Sequence, residues 1–273
     1  MNDPSINAVP LSEAANENMF GGKCFSLGFA LRAGLPAPGG YALSVDLVNA
    51  ISRNDESALA NVLPLFAELA PAVAVRSSAV GEDSTDASFA GQHLSILNVM
   101  DAESMIEAIQ QVHASAFTEE ASAYRQRMEI AGEPAIAVVI QRQVLSEVAG
   151  VMFTKNPITG AAERYIEASW GLGEAVVAGM VVPDSFRISA AGVTLEQVLG
   201  DKDVELVGNP EGETVEQAVE AERIDRLCLC PAELDSLHRL AQSCEAVYGN
   251  ELDIEWAIHA GQLYLLQCRS ITH

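Results

Sequence analysis

Four polar side chains near the end of the chain have the types and spacing needed to hold a charged ligand. The segment LDIEWAIHAGQLYLLQCR, residues 252–269, predicts two apolar strands joined by a glycine-containing turn. Asp253 and Glu255 lie at alternate positions of the first strand, and Gln267 and Arg269 lie at alternate positions of the second. Because side chains alternate between the two faces of a strand, each pair occupies a single face.

The length of the turn decides whether the two polar pairs meet. A three-residue loop over 260–262 sets Glu255 opposite Gln267 and Asp253 opposite Arg269, with a glycine available for a positive φ. Residues directly opposite each other in an antiparallel pair point to the same face. We therefore predict that the two carboxylates, the amide and the guanidinium share one face of the hairpin.

Carboxylate and amide oxygens are suitable ligands for Mg²⁺, which usually takes one or two protein oxygens and completes its shell with water and substrate phosphates. A neighbouring guanidinium, that of Arg269, can grip a phosphate through two parallel hydrogen bonds. The alternative interpretation is an exposed sheet face that carries one Asp–Arg pair.

The scarcity of positive charge makes each basic residue informative. The chain has a formal net charge of −23 and three lysines, which argues against a nucleic-acid partner, since such a partner needs a basic stripe. Lys23 follows two glycines at a predicted helix start, where free N–H groups and the helix dipole favour anions. Arg76 is predicted at the end of a strand over 72–75, before a loop rich in Ser, Gly and Asp over 76–92.

Two glutamates remain open in interpretation. Glu167 lies near the end of a predicted strand and Glu174 lies in a glycine-rich turn. Both are interpreted as capping or salt-bridge residues, with a catalytic role as the alternative.

Helical and strand patterns alternate in mixed runs, which predicts an α+β fold with mostly antiparallel sheets. A switch in pattern predicts two lobes, 1–131 and 132–273. Residues 135–154 predict a β-hairpin, and the acidic stretch 208–228 predicts an exposed connection.

Taken together, five stretches of the chain resemble the ATP-binding N-terminal domain of the phosphoenolpyruvate synthase, pyruvate phosphate dikinase and rifampicin phosphotransferase group. They span residues 21–272 and, in combination, are highly specific. The resemblance implies an ATP-grasp fold, in which two α+β lobes close on Mg-ATP. The stretches are GGKCFSLG, AVRSSAVGEDSTDASFAGQ, VMFTKNPITG, GLGEAVVAGMVVPD and DIEWAIHAGQLYLLQCRSIT.

In the first lobe, the resemblance implies an ATP role for five residues. Lys23 and Arg76 are expected to contact the ATP phosphates and to take part in catalysis. Gly91 and Ser95 fall within and after the loop expected to cover the triphosphate. Gln141 matches a position that lines the adenine pocket.

In the second lobe, the resemblance implies the same roles that the hairpin geometry suggests. Glu255 and Gln267 are expected to ligate Mg²⁺, with Asp253 as a supporting ligand. Arg269 is expected to stabilise the charge of the transferring phosphoryl group.

The chain departs from this group in one respect that bears on function. Members usually continue into a domain that carries a phosphorylatable histidine in a Thr-Ser-His motif, and the 273 residues contain no such motif. We therefore expect an Mg-ATP-dependent phosphotransferase domain of the dikinase type that donates a phosphoryl group to a histidine on a partner protein. The alternatives are a direct small-molecule kinase, a nucleotide-binding regulatory module without turnover, and a fragment of a longer enzyme.

The remaining composition predicts a cytoplasmic protein. There is no export signal at the N-terminus and no apolar window near ~18 residues. The five cysteines form no C-x-x-C pair, so we expect them to be reduced and mostly buried.

Overall fold

The structure is a computed structural model that describes residues 7–81, 94–127 and 132–271. Its described residues form two compact units. Unit 1 takes them from 1–32, 39–143 and 210–213, and unit 2 from 33–38, 144–209 and 214–273.

Unit 1 is built on a five-stranded antiparallel sheet in the order β1-β2-β5-β3-β4. Its strands are β1 (Ala8–Pro10), β2 (Gly40–Leu43), β3 (Val73–Ala79), β4 (Ser95–Val99) and β5 (Ile136–Arg142). Its helices are α1 (Glu17–Arg32), α2 (Val45–Ser52), α3 (Glu56–Val62), α4 (Leu65–Leu69), α5 (Ala102–Ser115) and α6 (Glu119–Arg127).

One face of this sheet is buried beneath α2 and α5. Val75 and Ile140 belong to the same buried cluster as Ile51 of α2 and Ile109 of α5. The start of α5 is fixed by Asp101, whose carboxylate accepts a hydrogen bond from the Ser104 N–H at 2.7 Å. The opposite face of the sheet packs against α1 and carries the candidate residues of this unit.

Unit 2 is built on a six-stranded antiparallel sheet in the order β13-β12-β6-β7-β8-β9. Its strands are β6 (Val148–Phe153), β7 (Glu163–Trp170), β8 (Asp184–Ser189), β9 (Thr194–Val198), β12 (Leu252–His259) and β13 (Gln262–Ser270), with a separate pair β10 (Val204–Gly208) and β11 (Thr214–Ala218). Its helices are α7 (Glu174–Val177), α8 (Ala221–Ile224) and α9 (Pro231–Tyr248).

Helix α9 packs against β12 and β13 on the buried face of this sheet. Pro231 is its first residue, where the missing N–H costs nothing, and Gly249 ends it with φ at 90°. Leu237, Leu240 and Cys244 of the helix are all buried. Both ends of the helix thus carry residues typical of helix ends, and the other face of the sheet carries polar residues.

Two elements differ from the sequence predictions. The hairpin over 135–154 is wrong, because β5 pairs with β2 and β3 whereas β6 pairs with β12 and β7. The connection over 208–228 contains β11 and α8. The two units divide between 143 and 144, twelve residues after the predicted division at 131/132, since β5 completes the sheet of unit 1.

A buried ion pair fixes the start of β8 in unit 2. Lys202 and Asp184 are both fully buried and in direct contact. Asp184 also accepts hydrogen bonds from the Gly200 N–H at 2.8 Å and the Cys228 N–H at 2.7 Å. Burial, and next the charge of Asp184, raise the pKa of the Cys228 thiol, so this cysteine is an inert part of the core.

All five cysteines are thiols rather than disulfides, and all except Cys230 are buried, as expected. Within the described ranges, no helix has both the length and the apolar character needed to cross a membrane.

Candidate active site

In unit 1, a break in α1 places Lys23 at the start of a helical segment. The helix is interrupted at Gly21, where φ is 73° and ψ is 169°. Ser78 Oγ of β3 donates a hydrogen bond to the Phe20 carbonyl at 2.7 Å and accepts one from the Cys24 N–H at 3.0 Å. One hydroxyl therefore joins both sides of the break, and the prediction that a helical segment starts near Lys23 is confirmed.

The backbone of Gly21 lies directly against β3. A Cβ atom at this position would lie 2.0 Å from the Ser78 carbonyl oxygen, a distance that carbon and oxygen do not reach without a backbone shift. The glycine pair before Lys23 thus serves close packing on the strand that carries Arg76.

Gly21→Ala is expected to destabilise unit 1 by at least about 2 kcal/mol more than a positive φ alone would cost. Gly81→Ala is the matched control, because Gly81 also belongs to unit 1 and has φ at 78° and no atom within 4 Å of the place that a Cβ would occupy. The control is expected to cost about 1–2 kcal/mol. Urea unfolding of both variants measures the difference, and equal losses would contradict the close approach.

The candidate residues of unit 1 lie on the face of the sheet that α1 covers. Arg76 and Ser78 are alternate residues of β3 and so share this face with Ser95, which pairs with Arg76. Gln141 pairs with Ala74, two residues before Arg76. Lys23, Arg76 and Gln141 are 6%, 9% and 2% exposed. The structure therefore brings the side chains of Arg76, Ser95 and Gln141 to one face, beneath the helix that bears Lys23.

The sequence suggested that Arg76 ends its strand, but the structure shows that the strand continues beyond it. β3 continues through Ala79 because Ser77 and Ser78 pair with Val138 and Ala137 of β5. Gly91 lies outside the described residues.

In unit 2, the predicted pairing of the hairpin is confirmed although the predicted loop is wrong. Asp253 pairs with Arg269 and Glu255 pairs with Gln267. The loop has two residues, Ala260 and Gly261, with φ values of 49° and 72°. Two successive positive φ values are typical of a type I′ turn, whose twist matches that of the strands.

A β-bulge restores the register that a two-residue loop would otherwise shift. Glu255 pairs with Gln267, but the next residue, Trp256, pairs with Leu265, so Leu266 is the extra residue. A bulge changes the parity of one strand relative to the other. Leu266 therefore has the effect on the register that the sequence analysis assigned to a longer loop.

Asp253 and Arg269 form a direct ion pair. The Arg269 Nε–H donates a hydrogen bond to Asp253 Oδ2 at 2.9 Å, and Nη2 lies 2.8 Å from the same oxygen in an ion-pair contact. Burial raises the pKa of Asp253, the charge and hydrogen bond of Arg269 lower it, and the nearby charge of Glu255 raises it; the net direction is upward. The carboxylate predicted as a supporting metal ligand is thus the partner that orients the guanidinium.

The oxygen donors on this hairpin fit Mg²⁺ as a cation shared with a ligand. Within the described residues, no group of three or more His, Cys, Asp or Glu side chains is arranged to hold a metal ion. Glu255 and Gln267 face the same side of the hairpin and offer one carboxylate and one amide oxygen. A magnesium ion accepts such a set when water and phosphate oxygens fill the remaining positions.

The open face of the sheet extends this arrangement in two rows that cross all six strands. The first row runs from β13 to β9 through paired residues, and we call it the glutamate row: Gln267, Glu255, Val151, Glu167, Ser185 and Val198. The second row lies beside it: Arg269, Asp253, Phe153, Tyr165, Arg187 and Glu196.

Glu167 is the residue of the glutamate row that the sequence analysis left open. It is half-buried and accepts a hydrogen bond from the Tyr165 hydroxyl at 3.4 Å. Its place in the row follows from the pairing of β6 with β7, and no local motif encodes that pairing.

A small apolar cluster lies next to the glutamate row in unit 2. Its buried members are Val144, Ala149 and Ala257, with Tyr264 and Leu266 packed against them. Ala257 is two residues from Glu255 and therefore lies on the same face. This cluster was not predicted from the sequence, although the small residues Ala149 of β6 and Ala257 of β12 are a signal for it.

The hairpin of unit 2 thus displays an acid–amide pair that suits Mg²⁺ and an oriented arginine that suits a phosphate. The chain belongs to the family described as pyruvate phosphate dikinase, AMP/ATP-binding domain, which matches residues 56–273. This membership confirms the family recognised from the sequence motifs.

Three relatives illustrate the range of the family. A probable phosphoenolpyruvate synthase of Archaeoglobus fulgidus is 41% identical over 73% of this chain and 27% of its own length. The prodigiosin synthesizing transferase PigC of Serratia marcescens is 35% identical over 100% of this chain and 34% of its own length. The phosphotransferase YvkC of Bacillus subtilis is 38% identical over 73% of this chain and 24% of its own length. The chain thus spans a quarter to a third of the relatives it matches.

Similar solved structures include the D-alanyl-alanine synthetase A of Vibrio cholerae, at 13% identity and a TM-score of 0.43 over 95% of this chain and 56% of that one. A D-alanine–D-alanine ligase of Bacillus anthracis complexed with ATP matches at 13% identity and a TM-score of 0.39, over 95% of this chain and 57% of that one.

Proposed function

We propose that the chain binds Mg-ATP and catalyses phosphoryl transfer from it to a histidine on a separate protein domain. The observation that carries this proposal is the paired hairpin of unit 2, where Glu255 faces the same side as Gln267 and Asp253 holds Arg269. Family membership supports the nucleotide. The names of the relatives, phosphoenolpyruvate synthase and phosphotransferase, support the reaction class.

The hairpin supplies the groups that act on the phosphates. Glu255 and Gln267 would hold Mg²⁺, which would offset the negative charge of the phosphates. Arg269, fixed by Asp253 through a hydrogen bond at 2.9 Å and an ion-pair contact at 2.8 Å, would stabilise the charge that develops on the transferring group. A guanidinium that is already oriented needs no reorganisation during the reaction.

The other candidate residues supply binding and charge neutralisation. Lys23, together with the N–H groups of a helix start, and Arg76 would contact the phosphates. Gln141 would contact the base. Ser95 is paired with Arg76 and would lie near the triphosphate, as would Gly91 of the covering loop. Because the chain has a net charge of −23, Lys23 and Arg76 would be needed to offset the negative charge of the bound triphosphate.

The apolar cluster of unit 2 would receive the base. Val144, Ala149 and Ala257 are buried apolar side chains beside the glutamate row, and nucleotide pockets combine such apolar walls with a few placed polar groups. The base and the metal-bound phosphates would thus contact neighbouring parts of the same open face.

Incubation with β-labelled ATP and Mg²⁺ tests the acceptor. We expect the chain alone to hold no stable label, since phosphoryl transfer needs an imidazole that can reach the in-line position. Adding a separate histidine-bearing domain from a phosphoenolpyruvate synthase is expected to give an acid-labile, alkali-stable label on that domain and AMP as the nucleotide product. The balance requires the β,γ-pyrophosphoryl group of ATP to pass to the histidine and its γ-phosphate then to be released by hydrolysis as inorganic phosphate, which leaves the β-phosphoryl group on the histidine. EDTA is expected to abolish both signals.

The same experiment can contradict the proposal. If this chain alone carried a strong acid-labile label, the phosphoryl acceptor would be one of its own histidines and not a histidine on a partner. ADP formed together with a phosphorylated small molecule, in the absence of the partner, would favour a direct kinase.

A further inference from the structure

The two edges of the six-stranded sheet in unit 2 differ in what covers them. At one edge, the Leu265 N–H of β13 donates a hydrogen bond to the Pro36 carbonyl at 3.0 Å, and residues 33–38 belong to this unit. The other edge is β9, and among the described residues no strand pairs with its outer side. All five residues of β9 are exposed. Within the described ranges, β9 is therefore the edge to which a further strand can be added.

This edge carries large apolar side chains instead of groups that block strand addition. Four of them, about half exposed, lie along β9 and at its two ends: Val193, Leu195, Val198 and Leu199. Val182 is 63% exposed and is held beside the end of β9 by an isolated β-bridge. Edge strands are commonly protected by lysine or proline, and residues 190–199 contain neither. The edge thus offers both main-chain hydrogen-bonding groups and apolar surface to another strand.

The charge of this edge indicates which kind of strand fits it. The chain has 38 acidic residues in 273, yet residues 190–199 contain one charged residue, Glu196. The Glu196 carboxylate is paired with Arg187 at 3.0 Å. A basic segment would therefore find little to pair with along β9, whereas an apolar strand of low charge fits it. Residues 190–199 of a second copy are themselves such a strand.

Antiparallel pairing of two β9 strands about a two-fold axis uses the same surface on both copies. An axis beside Glu196 would place two carboxylates directly opposite each other, which is destabilising. Leu195 is the extra residue of a bulge in the pairing with β8, so regular strand geometry begins at Glu196. An axis beside Gln197 satisfies both conditions, and it sets Leu195 of each copy opposite Leu199 of the other.

We propose that β9 is a dimer interface, at which two copies of this chain pair antiparallel and join their six-stranded sheets edge to edge. Because residues 33–38 cover the β13 edge, the association closes at two copies and does not extend into a fibre. β9 lies at the opposite end of the sheet from the hairpin of β12 and β13, and the inference does not depend on the proposed function.

Sedimentation equilibrium of the full chain tests the inference. The unmodified chain is expected to convert from monomer to dimer as its concentration rises from about 1 µM to about 500 µM, with no larger species. Leu195→Glu and Leu199→Glu each place an unpaired carboxylate in the interface, and each is expected to raise the dissociation constant by about tenfold or more.

The salt dependence of the association distinguishes a second copy from an oppositely charged partner. Two copies carry the same net charge, so raising the NaCl concentration from about 0.05 M to about 0.5 M screens their repulsion and is expected to strengthen the dimer. Association that weakens with salt would show that attraction between opposite charges holds the copies together, which would contradict an apolar edge.

Ile158→Glu is the matched control, because Ile158 is a 77% exposed apolar residue of the same unit and lies in the connection between β6 and β7. It is expected to leave the dissociation constant unchanged. If Leu195→Glu does not fold, judged by its melting curve, Leu199→Glu decides the question.

Three results would overturn the proposal. An unmodified chain that stays monomeric up to about 500 µM would show that a second copy does not bind β9. A dimer that both β9 variants leave intact, or that Ile158→Glu weakens equally, would place the interface elsewhere. Oligomers larger than two would contradict closure at a single open edge.

Discussion

Glu255→Ala and Gln267→Ala are each expected to abolish Mg-ATP turnover while leaving a folded protein. Glu255 lies on the open face of β12, whereas the buried face of that strand carries Ile254 and Trp256, both fully buried. Removing a half-exposed carboxylate changes the free energy of unfolding by less than about 0.5 kcal/mol. Gln267 is 7% exposed, so its loss is expected to cost about 1 kcal/mol. Neither change removes the core of the hairpin.

The loss of turnover follows from the proposed metal. Without one of the two protein oxygens, a weakly held Mg²⁺ cannot keep the phosphates in the position required for transfer, and phosphoryl transfer is catalysed almost entirely by positioning and charge stabilisation. Formation of labelled AMP measures turnover. Melting curves with ATP, with and without EDTA, measure the metal separately: EDTA should reduce the ATP-induced shift of the unmodified chain and have little effect on that of either variant.

Glu216→Gln provides the control for a change of charge, because Glu216 is an exposed acid on β11. It is expected to retain full turnover and the EDTA-sensitive shift. Near-normal turnover in either hairpin variant would remove that residue from the metal site.

The hairpin also shows how far sequence alone can predict this site. Alternation of polar and apolar residues in 252–269 was sufficient to identify the four residues and their shared face. A two-residue turn combined with a bulge at Leu266 aligns these residues. This arrangement gives the same alternation of polar and apolar residues in the sequence as a three-residue loop without a bulge. Two backbone solutions thus give one pairing, and the pattern cannot distinguish them.

Features that depend on distant pairing were not predictable in the same way. Apolar runs at 136–142 and 148–153 indicate strands but do not encode their partners, and so they were interpreted as one hairpin although they belong to different sheets. Glu167 joins Glu255 in the glutamate row through β6, which directly precedes β7 in the chain but is far in sequence from β12. Gly21, by contrast, was placed correctly before a helical segment because the glycine pair is a local signal.

Asp253→Asn is expected to reduce turnover by about 10²-fold or more, comparable to the loss of one preorganised hydrogen-bond donor to a transition state. The substitution keeps the size of the side chain but removes the charge that holds Nε and Nη2 of Arg269 at 2.9 and 2.8 Å. Arg269→Lys is the companion variant, since lysine keeps the positive charge and loses the fork. Similar losses in both variants are expected if orientation of the guanidinium is what matters, and normal turnover in Asp253→Asn would contradict it.

The pH dependence of stability gives the same pair a signature that is independent of turnover. Burial raises the pKa of Asp253 in the folded state above its ordinary value of 3.8, although Arg269 opposes the shift. The folded protein therefore binds more protons at this group than the unfolded chain does, and the stability that this group contributes is present below 3.8 and is lost as the pH rises through the raised folded pKa. Asparagine does not titrate. The stability of Asp253→Asn relative to the unmodified chain is thus expected to be greater at about pH 7 than near about pH 4, as measured by urea unfolding at both values. If Asp253→Asn is instead relatively less stable at about pH 7 than near about pH 4, the attraction of Arg269 outweighs the cost of burying the carboxylate. The ion pair would then stabilise the hairpin, and its role would not be limited to orienting Arg269.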